Sequence, residues 1–242
     1  MNLYSELWAL LPKEPVPLRS VLVGVHWTLV CSQHCGLAST LVNYGPHGET
    51  HMRDVGSLLE KSAQELAGWM ESDNLLEASV GMAAFNSLID VDTSKLKEVN
   101  ASEVLKRECP GKNLAVIGHF PFIFKLRDLT ANLWVIEKDP HGDDFPEEAA
   151  RDYVPRADIV AITGTAFINH TMENLLSLCR PGALVMILGP STPLVPLLFD
   201  HGVTYLSGAQ VIDEAAARLT IGQGAGFPQV KGVQVVTMEK GD

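Results

Sequence analysis

Four short polar turns in the second half of the chain contain residue types that bind small ligands. Each turn follows a short apolar run, rich in β-branched residues, which is typical of a strand buried on both faces of a parallel sheet. The carboxyl ends of parallel strands share one edge, and ligands of open α/β sheets bind there. The sequence therefore predicts a ligand-binding crevice, although the same glycines could simply close tight turns. The predicted crevice residues are Gly118, His119, Phe120, Glu137, Thr163, Gly164, Thr165, Asn169, Gly189, Pro190 and Ser191.

Glu137 follows the second of these predicted strands, where dinucleotide-binding folds have an acidic residue that binds a ribose, about 20 residues after the first turn. A nucleotide is nevertheless the less favoured ligand. The first turn has the sequence Gly-His-Phe-Pro-Phe instead of the glycine-rich fingerprint, and Pro121 lacks a backbone N–H donor. The sequence also contains no phosphate-binding loop of the P-loop type.

Support for nucleophilic catalysis in the sequence is weak. Ser191 follows Gly-Pro and is not part of a G-x-S-x-G elbow. Cys179 falls late in an apolar helical pattern, where a core position is expected. Lys125 and Arg127 either bind an anionic group or form a solvated helix face. The pattern as a whole favours binding over catalysis.

A second group of residues has side chains that can bind a metal ion: Cys31, His34 and Cys35. Thiolates and imidazole are ligands of zinc and other soft ions. They flank a predicted hairpin turn, which would bring the two sulfurs together. A divalent or heavy-metal ion is therefore the candidate cofactor. A structural zinc site needs a second Cys/His pair, and the nearest candidates are only His47 and His51. Alternatively, both cysteines are small buried hydrophobic residues.

Residues 1–110 are predicted to form a small α+β domain. A helix over residues 2–11 precedes strands over 20–30 and 35–43, whose short connection predicts an antiparallel hairpin. Helical spacing begins at Ser57, and residues 74–89 predict a nearly all-apolar helix whose small residues permit close packing. A small antiparallel sheet followed by helices is an α+β arrangement.

Residues 111–242 are predicted to form a Rossmann-like domain with a parallel sheet. Strands alternate with helical or loop segments, which is the order of a doubly wound α/β fold. The predicted strands cover residues 114–118, 133–137, 158–163, 183–188, 203–207 and 233–238, and the last is expected at an edge. The fold class is therefore α/β, with an α+β domain preceding the Rossmann-like one.

The bulk composition narrows the range of partners and compartments. The chain has 242 residues, of which 46% are hydrophobic, and a formal net charge of −11, which argues against nucleic acid and anionic membranes as partners. No stretch approaches about 18 consecutive apolar residues, so a cytoplasmic protein without a membrane partner is expected. The four cysteines are too few and too scattered for a secreted disulfide framework. The apolar content is compatible with a homodimer, but no stretch requires one.

Several motifs occur together in this chain: GVHWTLV, CGLAST, GMAAFNSLI, VIGHFPF, DIVAITGTAFINHT and GPSTPLVPLLFDHGVTYLSG, with Glu137 between the fourth and fifth. With these motifs the chain resembles the DUF364 family and its DUF4213 N-terminal domain over nearly its whole length. The resemblance implies an enolase-N-terminal-like α+β domain, a Rossmann-like domain and a cleft between them. It also implies a role in heavy-metal chelation, linked to anaerobic cobalamin or siderophore synthesis.

The family's motifs fall on the predicted crevice residues other than His119, whereas the pair Cys31 and Cys35 is not a family feature. The first hypothesis is therefore a binding protein that holds a small molecule, a metal or a metal chelate in the interdomain cleft. The alternative is an enzyme that acts on a small anionic or nucleotide-like substrate in the same cleft.

Overall fold

A computed structural model describes residues 2–44 and 51–241 of the chain. The N-terminal part begins with helix α1 (Leu3–Trp8), which is followed by a small antiparallel sheet in the order β1-β2-β3. Its strands are β1 (Ser20–Val23), β2 (Trp27–Cys31) and β3 (Cys35–Ser39).

The first predicted strand, 20–30, is in fact two antiparallel strands. The chain turns at residues 24–26, where the backbone N–H of Gly24 donates to the Trp27 carbonyl at 2.9 Å. A Cβ at Gly24 would lie 2.9 Å from Ile221 Cγ2, so a side chain there would collide with a neighbouring helix. The predicted hairpin across residues 32–34 is present and joins β2 to β3.

The small sheet packs against helix α3 (Leu75–Leu88), which follows helix α2 (Ala63–Ala67). The Asn74 side chain caps α3 by accepting hydrogen bonds from the N–H groups of Leu76 and Glu77. Almost every residue of α3 is buried, which explains its apolar character on all sides.

The larger sheet has eight strands in the order β4-β11-β10-β9-β8-β5-β6-β7. The strands from β10 to β7 run parallel, whereas β11 is antiparallel to both of its neighbours. The bounds are β4 (Leu96–Lys97), β5 (Asn113–Ile117), β6 (Asn132–Glu137), β7 (Phe145–Pro146), β8 (Ile159–Thr163), β9 (Leu184–Leu188), β10 (Tyr205–Val211) and β11 (Val233–Glu239).

This topology confirms the predicted α/β class, with a small antiparallel sheet preceding a mostly parallel one. The prediction that the last strand lies at an edge is wrong, because β4 pairs outside β11. From β5 the chain proceeds to β6 and β7 and then returns to β8 on the other side of β5. The crossover point between β5 and β8 is where open α/β sheets bind ligands.

Six helices accompany the larger sheet: α4 (Ala101–Glu108), α5 (Ala150–Tyr153), α6 (Thr165–Ile168), α7 (Met172–Leu178), α8 (Leu197–Asp200) and α9 (Glu214–Gly222). Single turns of 3₁₀ helix occur at Leu58–Glu60, Gly68–Glu71, Thr93–Lys95, Ile123–Leu126, Glu147–Ala149, Val154–Arg156 and Phe227–Gln229. Helix α4 and strand β4 precede residue 110 but pack with the larger sheet. The domain boundary at residue 110 therefore stays a prediction.

The longest helix, α3, has 14 residues. Within the described ranges, no helix combines the length and the apolar character that crossing a membrane requires.

Candidate functional site

A cleft of about 630 Å³ lies between the small sheet and the carboxyl edge of the larger sheet. Every residue of the predicted crevice borders this cleft. They are Gly118, His119, Phe120, Glu137, Thr163, Gly164, Thr165, Asn169, Gly189, Pro190 and Ser191. The four turns therefore gather at one place, as predicted; whether these residues bind a ligand stays a prediction.

Strand register explains why the turns meet. Ile117 is level with Ile136 on one side and with Ile162 on the other, and Thr163 is level with Leu188. The turn residues that follow these positions therefore line up along the edge.

Two glycines allow the backbone to turn sharply at the floor of the cleft. Gly118 has φ +102° and Gly189 has φ +111°, which favour glycine because other residues rarely adopt this region. Gly164 has an ordinary φ of −60°, but a Cβ there would lie 2.7 Å from the Thr192 nitrogen. These glycines let the strand-end turns lie close together.

The opposite wall comes from elements that the turn pattern does not include. Trp27 and Ser39, which are register partners at one end of the β2–β3 hairpin, border the cleft. The Trp27 ring packs against Phe227 with 5.3 Å between centroids, and its Nε1 donates to the Ala225 carbonyl at 3.0 Å. Strands β10 and β11 continue past the edge of the parallel sheet and add Gly208 and Val235 to the wall.

Glu137 and Asn169 present polar atoms beside these apolar walls. One Glu137 carboxylate oxygen accepts from the Lys138 backbone N–H at 2.9 Å. The Asn169 Oδ1 atom accepts from the backbone N–H and the hydroxyl of Thr171, at 3.3 and 2.7 Å. Within residues 2–44 and 51–241, the second Glu137 oxygen and the Asn169 NH₂ group have no hydrogen-bond partner. These two groups are therefore able to contact a ligand in the cleft.

Other predicted crevice residues use their side chains within the protein. The Ser191 hydroxyl accepts from the Ser39 N–H at 2.8 Å, and the residue is 1% exposed. The His119 Nδ1 atom lies 3.1 Å from Asp144 Oδ2. The hydroxyls of Thr163 and Thr165 are 2.9 Å apart. Ser191 and His119 therefore shape the cleft more than they offer free donors or acceptors to it.

His170, which also follows the third predicted strand, does not border the cleft. Its Nε2 atom lies 2.8 Å from the Met70 carbonyl, and its ring packs edge-on against Tyr4. Burial strongly raises the pKa of the Tyr4 hydroxyl, which donates to the Phe167 carbonyl at 2.7 Å. These contacts join the N-terminal helix to the larger domain and are structural.

The predicted metal group is not assembled as expected. Cys31 and Cys35 form a disulfide, so neither sulfur is a thiolate in this form. His34 is not part of this group and places its Nε2 atom 2.7 Å from Asp90 Oδ1. His47 lies outside the described residues. The His51 backbone carbonyl accepts a hydrogen bond from the Asn74 side chain. The third metal-binding group near the sulfurs is instead the carboxylate of Glu214.

Sequence patterns missed several cleft residues because they come from distant elements. Trp27 and Ser39 belong to the small sheet, and Phe227 lies in a 3₁₀ turn near the C-terminus. None of these has a spacing relationship to the strand-end turns. The sequence offers a weak signal for Trp27, which is an aromatic residue at the start of a short strand, in Gly-Val-His-Trp.

The family assignment agrees with this architecture. Residues 100–239 match the DUF364 family and residues 4–89 match the DUF4213 family, and both carry the description "Putative heavy-metal chelation". The chain belongs to the DUF364 family. The resemblance noted from the sequence motifs is thereby confirmed.

Relatives of this DUF364 chain extend over most of its length. An uncharacterised protein of Methanocaldococcus jannaschii is 26% identical over 192 residues, which cover 76% of this chain and 73% of that protein. The crystal structure of a DUF364 protein of unknown function from Desulfitobacterium hafniense DCB-2 has a TM-score of 0.84 at 28% identity, covering 98% of this chain and 97% of that one. A DUF364 structure from Pyrococcus horikoshii, at 22% identity and with coverages of 98% and 97%, has a TM-score of 0.79 and shows the same fold.

Proposed function

We propose that this protein binds one small organic molecule in the cleft between its two sheets. The observation that supports this function is that four strand-end turns and the β2–β3 hairpin border a single cavity of about 630 Å³. That volume is within the range of about 300–1,000 Å³ that is typical of small-molecule sites.

The walls indicate the chemical class of the ligand. Trp27, Phe120 and Phe227 offer aromatic surface, and Ile117, Leu188 and Val235 add aliphatic surface. Aromatic rings stack on flat molecules, so a planar and largely apolar body suits this cavity. Glu137 accepts hydrogen bonds and the Asn169 NH₂ group donates one, so the ligand carries a hydroxyl or amine and a carbonyl or carboxylate at its ends.

A bare metal ion is a poor fit to the cleft. Metal sites in proteins use several convergent carboxylates, imidazoles or thiolates. Within the described residues, the cleft contains no group of three such atoms close enough to share an ion. A metal chelate, held through its organic part, remains compatible with the family description.

The second candidate function is an enzyme that acts on a nucleotide-like substrate. Glu137 favours it, because it ends β6 directly beside β5 at the crossover of the sheet, where a ribose is bound in dinucleotide folds. Against it, no serine or threonine hydroxyl within the described cleft wall has a general base as its hydrogen-bond partner, which is the usual way to activate a hydroxyl nucleophile.

Two measurements test the binding proposal. Native mass spectrometry of untagged protein should detect a co-purifying small molecule at one per chain. Titration with anilinonaphthalene sulfonate, a flat apolar probe, should show one site, and Val235→Trp should abolish it by filling the cleft. Gln234→Trp, on the other face of the same strand, is the matched control and should bind as the parent does. Equal probe binding by both variants would place the probe elsewhere and contradict the proposal.

The polar end of the site is tested with Asn169→Asp. An aspartate keeps the acceptor oxygen that holds Thr171 but lacks the NH₂ donor. Any co-purifying molecule should be lost from Asn169→Asp and kept in Asn174→Asp, an exposed control on α7. Adenosine and adenosine monophosphate are the probes for the second candidate function, an enzyme with a nucleotide-like substrate. If either probe binds, and if Glu137→Gln weakens that binding, the second candidate is favoured.

A further inference from the structure

The turn end of the β2–β3 hairpin holds a group of metal-binding atoms that the cleft does not use. Cys31 and Cys35 are register partners at this end. Glu214, in the first turn of α9, brings a carboxylate oxygen to 3.5 Å from Cys35 Sγ. The two sulfurs and the carboxylate lie within 4.8 Å of one another.

The disulfide between Cys31 and Cys35 contributes little to the fold. The stabilisation from a cross-link grows with the length of the loop that it closes, and here only three residues separate the cysteines. The same two strands are already held by ladder pairs from Trp27–Ser39 to Cys31–Cys35. The hairpin therefore persists when the disulfide is reduced, and the two sulfurs remain next to each other.

Arg19 and Ser20 orient the Glu214 carboxylate toward the sulfurs. Arg19 Nη2 donates to Glu214 Oε2 at 3.1 Å and lies 3.6 Å from Cys35 Sγ. The Ser20 hydroxyl donates to the other Glu214 oxygen at 3.2 Å. Two thiolates and one carboxylate carry three negative charges, which Arg19 and a divalent cation together would balance. Hydrogen bonds to a ligating group of this kind strengthen metal binding.

A cavity of about 170 Å³ lies beside Cys35. It is lined in part by His34, Gly36 and Asn86, and it is open to solvent on one side. Cys31 is fully buried, whereas Cys35 is half-buried. Water and small molecules therefore reach the Cys35 sulfur, and a water molecule has room to complete the coordination of an ion.

From this geometry we propose a redox-gated site for a soft divalent metal ion, formed by Cys31, Cys35 and Glu214. An external dithiol reduces the disulfide: two electrons and two protons give two thiols, and the dithiol becomes a disulfide. A metal ion such as Zn²⁺ or Cd²⁺ then displaces the two thiol protons and binds two sulfurs and one carboxylate oxygen, with water as the fourth ligand. An external disulfide re-oxidises the pair by exchange: it takes up the two electrons of the thiolates and two protons from solvent to become a dithiol, the Cys31–Cys35 bond re-forms and the ion is released.

The site lies apart from the cleft. Trp27 and Ser39 border the cleft at one end of the hairpin, and Cys31 and Cys35 occupy the other end. Metal binding at the cysteines and ligand binding in the cleft can therefore be measured separately, and one can fail while the other holds.

The first experiment needs no substitution. Untagged protein is reduced with a phosphine, desalted without oxygen and titrated with Cd²⁺, with the thiolate-to-metal absorption as the readout. One Cd²⁺ per chain should bind with this absorption. The disulfide form should bind at least about 100-fold more weakly, because it offers no thiolate. Equal affinity of the two forms would overturn the proposal.

Substitutions then identify the third ligand. Glu214→Gln keeps the size of the side chain and should weaken Cd²⁺ binding at least about tenfold. Glu103→Gln, a first-turn glutamate of α4 that is exposed, should leave it unchanged. His34→Gln should also leave it unchanged, since His34 contacts Asp90 instead. Loss of affinity in His34→Gln but not in Glu214→Gln would overturn the assignment of Glu214.

The double variant Cys31→Ser, Cys35→Ser should lose the absorption, and Cys179→Ser should keep it. Circular dichroism of the double variant verifies that it is folded. Retention of one tight Cd²⁺ with thiolate absorption in a folded double variant would assign the ion to other cysteines and refute the site.

Discussion

The backbone N–H of Ser39 donates a hydrogen bond of 2.8 Å to the hydroxyl of Ser191. Ser39 ends a strand of the small sheet, and Ser191 lies in the turn after β9 of the larger one. The Asn86 side chain of α3 adds a longer contact, 3.5 Å, to the Ser191 carbonyl. This junction fixes the distance between the two walls of the cleft, so Ser191 acts on the site through its position.

Ser191→Ala should destabilise the protein by about 1–3 kcal/mol, because it leaves the Ser39 N–H without its acceptor in a nearly buried place. The measurement is the free energy of unfolding in urea. Ser177→Ala is the control, because the Ser177 hydroxyl is exposed and bonds only within its own helix, to the Asn174 carbonyl. Equal losses for both serines would show that the junction contributes nothing specific.

Gly164→Ala should cost about 1–3 kcal/mol of stability, because the new methyl group would overpack the turn. Its Cβ would lie 2.7 Å from the Thr192 nitrogen and 2.9 Å from the Thr192 hydroxyl. Gly68 has almost the same backbone angles, with φ −60° and ψ −18°, but its Cβ would be 3.6 Å from the nearest atom, in Trp8.

Gly68→Ala is therefore the matched control for crowding at Gly164. It should leave stability unchanged or raise it by about 0.4–1 kcal/mol, since alanine restricts the unfolded chain. Urea unfolding of the two variants measures the difference. Similar stabilities for Gly164→Ala and Gly68→Ala would mean that the turn at Thr192 can move aside at no cost.

The residues at the floor of the cleft could be predicted because the sequence pattern that identifies them is local. Each apolar, β-branched run and the polar turn after it are adjacent in the sequence, and parallel strands must place their carboxyl ends at one edge. Thr163 and Gly189 could thus be placed together without knowing any contact between them. The strand order that puts β5 beside β8 follows the same rule for doubly wound sheets.

The other wall and the cysteine site depend on contacts between distant segments. Glu214 is 179 residues from Cys35, and no spacing pattern connects the first turn of a helix to a hairpin turn over that distance. His34 was the expected partner because it lies between the cysteines, but its Nε2 atom lies 2.7 Å from Asp90 Oδ1. The two-residue strand β4 was also missed, because so short a segment has no periodicity.

The stability of the protein should depend on pH through the ionisation of Asp158. This residue lies before β8, at the end of the sheet opposite the cleft. The backbone N–H of Asn113 and, secondarily, the Arg180 guanidinium lower the pKa of Asp158. Because the pKa of Asp158 is lower in the folded state, its ionisation stabilises the fold at pH values above the unfolded-state pKa of about 3.9. This stabilisation is lost as the pH falls through the folded-state pKa.

Asp158→Asn should therefore destabilise the protein at pH 7 and have a smaller effect at about pH 3, measured by urea unfolding at both pH values. Asp128→Asn, at an exposed position, should show little effect at either pH. If Asp158→Asn lowers the free energy of unfolding by the same amount at both pH values, the ionisation of Asp158 is not the cause of the destabilisation.

Alkylation rates should distinguish the cysteines of the reduced protein. Burial raises the pKa of the Cys179 thiol to about 11, so at pH 8 only about one molecule in a thousand has the reactive thiolate. Burial also raises the pKa of Cys109. Cys35 is half-buried and has the Arg19 guanidinium at 3.6 Å, so iodoacetamide should modify it at least about tenfold faster than Cys179.

The alkylation rate of Cys179 should also depend on pH. Because the pH stays below the Cys179 pKa, this rate should rise about tenfold per pH unit between pH 7 and 9. Mass spectrometry of tryptic peptides at timed intervals measures it. Cys179→Ser should remove this slow adduct alone, and a Cys179 rate that does not change with pH would contradict the burial of its thiol.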